Sequence, residues 1–89
     1  DPEVRSPLEA AKIAERAVQA TNGTNPAALD VLAAAYAADG RVDLAARTAQ
    51  RALQRAIALT NDALASEIRQ RLGRYEQALR GGADDPGNP

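Results

Sequence analysis

One stretch of this chain is written twice, and that repetition constrains the fold more than any other feature. With residues 8–21 set over residues 43–56, an offset of 35, six pairs are identical: Ala10/Ala45, Ala11/Ala46, Ala14/Ala49, Arg16/Arg51, Ala17/Ala52 and Gln19/Gln54. Lys12/Arg47 and Val18/Leu53 are conservative replacements. A repeat period in the mid-thirties belongs to chains that stack helix-turn-helix units, because one such unit cannot bury its apolar face alone.

The punctuation of the sequence divides the chain into four helices. Ser6-Pro7-Leu8-Glu9 combines an N-cap, a proline at the first helical position and a glutamate placed to close a capping box, so helix one spans residues 7–20. Its expected apolar stripe is Leu8, Ala11, Ala14, Ala17 and Val18, and Thr21-Asn22-Gly23-Thr24 ends it through left-handed turn chemistry. Asn25-Pro26 restarts the chain, and helix two, residues 26–38, carries Leu29, Leu32, Ala33 and Tyr36 on one face before Asp39-Gly40 stops it. These spacings predict Tyr36 and Leu32 buried between helices two and three.

Helix three is expected over residues 42–60, with Leu44, Ala45, Ala49, Ala52, Leu53 and Ala56 inward and Asp43/Arg47 paired along the helix. Asn61 or Asp62 can cap helix four, residues 62–80, whose stripe runs Leu64, Ile68, Leu72, Tyr75 and Leu79 up to Gly81-Gly82. The flanks read as an N-terminal arm, residues 1–6, and a disordered acidic tail, residues 81–89.

Leu29, Leu32, Ala33 and Tyr36, the turn glycine Gly40, and then Ala45, Ala49 and Ala52 resemble the tetratricopeptide repeat. Leu29 stands where that family often has Trp, Ala33 takes its small-residue position, Ala49 replaces an aromatic, and Ile57 replaces the closing proline. The resemblance implies an all-α fold: tetratricopeptide-like antiparallel helical hairpins in a right-handed α-α superhelix, here a fragment of about four helices. Ile68, Leu72 and Tyr75 repeat the spacing of Leu29, Ala33 and Tyr36, so helix four resembles the first helix of a further unit. Its many charges suit a C-terminal cap that nothing covers.

Composition narrows the chemistry. The 89 residues include no His, Cys, Met, Phe or Trp and only two aromatics, both Tyr. Without His or Cys the usual general base, thiolate nucleophile and soft metal ligands are missing, so the chain reads as a non-enzyme with no cofactor and no metal. Absence of Met reads as a piece of something longer. A net charge of −1 gives no electrostatic reason to expect nucleic acid or an anionic membrane as partner, and no apolar run is long enough to span a bilayer. The compartment stays open, with the cytoplasm favoured.

Three surfaces remain as candidates. First helices of tetratricopeptide units line a concave groove for peptides or partner helices, and the corresponding face of helix two is Ala27, Asp30, Ala34, Ala37 and Ala38, with helix four as the facing wall. The cationic and amide residues with which some relatives clamp a peptide carboxylate are absent from that face. Arg47, Arg51 and Arg55 recur every four residues, a line that would suit phosphate contact but reads better as a solvated face. Ile13, Ala17 and Ala20 form an outward apolar line on helix one, the candidate for self-association. By resemblance, the expected role is a protein–protein interaction or scaffolding module at the C-terminal end of a longer bacterial protein. A purely structural solenoid terminus or self-associating unit is the alternative.

Overall fold

The computed structural model describes residues 6–83. Among these the protein is all-helical: α1 (Pro7–Ala20), α2 (Pro26–Ala38), α3 (Val42–Ala58) and α4 (Asp62–Ala83). Starts follow side-chain caps at three helices. Ser6 Oγ accepts from the Glu9 amide at 3.1 Å, Asn25 Oδ1 from Ala27 and Ala28 at 2.9 and 3.1 Å, and Asn61 Oδ1 from Leu64 at 3.2 Å. At α3, Arg41 holds the cap position with no side-chain bond to the helix.

All three connections use one device. After each helix the amide two residues beyond the C-cap returns to the carbonyl three residues from the helix end: Gly23 to Val18 at 2.9 Å, Arg41 to Tyr36 at 2.9 Å, Asn61 to Ala56 at 2.8 Å. This closure puts the preceding residue in the left-handed region, and the three occupants differ: Asn22 (φ 55°), Gly40 (φ 79°) and Thr60 (φ 53°). Gly40 fits without strain and Asn22 tolerates the conformation, whereas the β-branched Thr60 is forced into it. The closure also fixes the end of α3 at Ala58, short of the residue 60 expected from sequence.

Short turns make successive helices antiparallel neighbours. α1 packs on α2, α2 on α3 and α3 on α4, while α2 also touches α4. The α1–α2 and α3–α4 turns meet at one end, where Arg55 Nε donates to the Thr24 carbonyl at 3.1 Å. Nine of the fifteen buried apolar residues found among the described residues are alanines, so helices close on backbone rather than on large side chains. Leu29 and Ile68 are the largest fully buried side chains.

Several expectations are corrected. Helix four does not stop before Gly81-Gly82 but continues to Ala83, so residues 81–83 are helical rather than a disordered tail; neither glycine takes a positive φ, and no proline interrupts the chain there. Residues 1–5 of the expected arm and 84–89 of the expected tail lie outside the described residues. Leu8 and Ala17 are exposed, not part of the α1 stripe, because α1 meets one neighbour only and buries just Ala11, Ala14 and Val18. Leu79 is exposed near the end of α4, and Tyr75 is half-buried. On α3, Ala46 and Thr48 are buried in addition to the expected alanines.

The register between units also differs. α2 and α4 start 36 residues apart, at Pro26 and Asp62. In that register the buried Leu29, Leu32 and Tyr36 match the buried Ala65, Ile68 and Leu72, and Ala33 matches the exposed Arg69. The expected equivalence of Ile68, Leu72 and Tyr75 with Leu29, Ala33 and Tyr36 is therefore one turn out of step.

Candidate partner groove

The α2–α4 surface is held in shape by one ion pair. Arg71 grips Asp30 with two parallel hydrogen bonds, Nε to Oδ1 at 2.9 Å and Nη2 to Oδ2 at 2.5 Å, and Glu67 lies 3.5 Å from the same Nη2. Forked guanidinium–carboxylate geometry is directional, so it fixes the spacing of the two helices as well as attracting them. The Asp30 hydrogen bond raises the Arg71 pKa beyond its already high value. Nearby, burial and the negative charge of Asp30 push the Tyr75 hydroxyl above its ordinary value. Asp30 thus braces the groove wall, and its carboxylate is occupied.

The other candidate residues divide by helical phase. Ala27, Ala34 and Ala38 are exposed, and Ala37 is half-buried. Val31, absent from the sequence-based set, falls between Ala27 and Ala34 on the same line and is 60% exposed, the most open of the large apolar side chains. The spacing 27, 31, 34, 38 is itself a helical stripe and was available in the sequence. Asp30 is the one charged residue in the thirteen of α2. A helix apolar on nearly every side ordinarily lies inside a larger structure, yet this line of α2 is exposed.

A second concavity, of about 500 Å³, opens where α1 and α3 approach across α2, and Glu15, Gln19, Tyr36 and Arg51 line it. Tyr36 donates its hydroxyl proton to Glu15 Oε2 at 2.6 Å, and the Arg41 guanidinium carbon sits 4.7 Å from the Tyr36 ring centroid. The bond to Glu15, and then burial, raise the Tyr36 pKa above its ordinary value. Tyr36 is buried as expected, and its hydroxyl in addition ties α2 to α1, a polar handle that was not readable from the apolar periodicity.

The arginine line is not a uniformly solvated face. Arg47 pairs with Asp43 at 3.3 Å in solvent, as expected, but Arg51 Nη2 lies where a Cβ on Gly23 would come within 3.0 Å, and Arg55 bonds the α1–α2 turn. Arg55 thus braces that turn from α3, while Arg51 is exposed with its guanidinium beside Gly23. Ile13, Ala17 and Ala20 are all exposed on α1.

Compared with known protein families, with curated proteins and with solved structures, the chain shows no match. No described helix is long and apolar enough to cross a membrane.

Proposed function

We propose that this chain is a tetratricopeptide-like, non-catalytic binding module whose α2 face holds an apolar segment of another protein. The observation that carries this reading is the uncovered apolar line Ala27, Val31, Ala34 and Ala38, set beside a wall braced by Asp30 and Arg71. Small side chains let a partner backbone approach closely, while Val31 offers a single larger knob. The helix starts support the repeat reading, since Pro7 and Val42 are 35 residues apart and Pro26 and Asp62 are 36 apart.

A library of displayed peptides tests this. Selection on the parent protein should enrich apolar sequences that bind neither Val31→Asp nor Ala34→Arg, with both variants melting like the parent because the positions are exposed. Enrichment that both variants retain would place binding elsewhere. Arg69 at the Ala33-equivalent position favours a second reading, a unit that simply terminates a helical stack, and failure to enrich any peptide would favour it too.

A further inference from the structure

α1 and α3 share sequence and capping register, Ser6 and Arg41 standing 35 residues apart at their N-caps, so their burial can be compared position by position. α1 directs Ala11, Ala14 and Val18 at α2, the helix that follows it. By the same helical phase we assign the α3 equivalents, Ala46, Ala49 and Leu53, to the side of α4, the helix that follows α3. The remaining α3 stripe, Ala45, Thr48 and Ala52, is 0%, 5% and 0% exposed, and this is the side left for the preceding helix, α2. Its α1 counterparts are Ala10, Ile13 and Ala17. Ala10 is half-buried, Ile13 is 43% exposed and Ala17 is exposed. The same pattern that is sealed by a helix on α3 therefore lies open on α1.

A second copy of the chain could cover this stripe in two ways. Head-to-tail stacking would bring in α4, the helix with an unfilled side, but α4 carries Arg69 where α2 has the fully buried Ala33. A close helix seam does not accept an unpaired guanidinium. Two-fold packing brings in α1 itself. Glu9 and Arg16 are both exposed and lie seven residues apart on one flank of the stripe. In an antiparallel pair with Ile13 near the two-fold axis, Glu9 faces the partner's Arg16 and Arg16 faces the partner's Glu9. A self-complementary patch of this kind closes after two copies and cannot grow into a filament.

We infer that two copies of this chain associate through antiparallel α1 helices, with Ala10, Ile13 and Ala17 in the seam and reciprocal Glu9–Arg16 pairs beside it. Sedimentation velocity on the full chain at high micromolar concentration should show a dimer. Ile13→Asp should give monomers, and Arg16→Glu should weaken association on the order of tenfold or more, since each of two attractive contacts becomes repulsive. Glu9→Arg should weaken it likewise, whereas mixing the Arg16→Glu and Glu9→Arg chains should restore a mixed dimer. Arg69→Glu, the same charge change at an exposed site on α4, which does not touch α1, should leave the dimer intact, and thermal melts establish that every variant is folded. A monomeric parent overturns the inference; so does a dimer that survives Ile13→Asp and Arg16→Glu, or a mixture no more associated than its components.

Discussion

α2 and α4 occupy equivalent places in the helical order and are built from opposite materials. α2 has neighbours on two sides and one charge in thirteen residues; α4 packs chiefly on α3 and carries seven charges in twenty-two. The contrast is sharpest at one pair of positions: Ala33 is fully buried, and Arg69, at the matching place on α4, stands in solvent. A helix expecting a neighbour is given small apolar residues, and a helix without one is given charge. By this criterion the outer line of α2 belongs with the surfaces that expect a neighbour.

The largest effect that can break the comparison is an exchange of those two residues. Ala33→Arg should unfold the protein, because an unpaired guanidinium in an alanine-lined seam costs several kcal/mol, comparable to the whole stability of so small a domain. Arg69→Ala should change stability by no more than about 0.5 kcal/mol. A cooperative melt for Ala33→Arg close to the parent's would show that the two positions are not different in kind.

Next comes Tyr36→Ala, which should cost about 3 to 5 kcal/mol by emptying the α1–α2 contact. Tyr36→Phe keeps the ring and loses only the Glu15 bond, for about 1 kcal/mol. The hydroxyl also has a pH signature. Its pKa is raised in the folded state, so the protonated form is the one the fold favours: the contribution is complete below the ordinary tyrosine pKa of about 10 and is lost as pH rises through the higher folded value. Tyr36→Phe should therefore flatten the alkaline fall of the melting temperature. An unchanged slope would mean that the Glu15 contact does not set it.

Ala45→Leu should destabilise by about 1 to 3 kcal/mol, since Ala45 is fully buried on α3 and has no room for extra methylenes. Denaturant midpoints measure it, and an unmoved midpoint would show that the helices are less close than the alanine seam requires. The smallest effect compares two turns. Thr60→Gly should stabilise by about 0.5 to 1 kcal/mol by relieving a β-branched residue at φ 53°, while Asn22→Gly should gain less, because asparagine already tolerates that region. Equal gains at the two sites would remove the distinction.

Helix existence was legible because Ser6, Asn25, Gly40 and the 3.6-residue spacing all act locally. The α2–α4 register was not: Ile68 and Tyr75 resemble Leu29 and Tyr36 by residue type, but Asn61 starts α4 one turn earlier than that match requires, and cap position overrides chemical likeness. The Asp30–Arg71 and Glu15–Tyr36 contacts join residues 41 and 21 apart, respectively, which no periodicity announces. Of the expected groove residues Ala27, Ala34 and Ala38 are exposed and Ala37 is half-buried, and Val31, on the same line by simple helical phase, was not among them.

The binding claim is tested most directly by recording amide and methyl shifts of the labelled protein while an enriched apolar peptide is added. Shifts concentrated at Ala27, Val31, Ala34 and Ala38, with Ile13 and Ala17 unmoved, are the predicted result. Shifts confined to α1, or spread evenly over the four helices, would contradict the assignment of the α2 face as the binding surface.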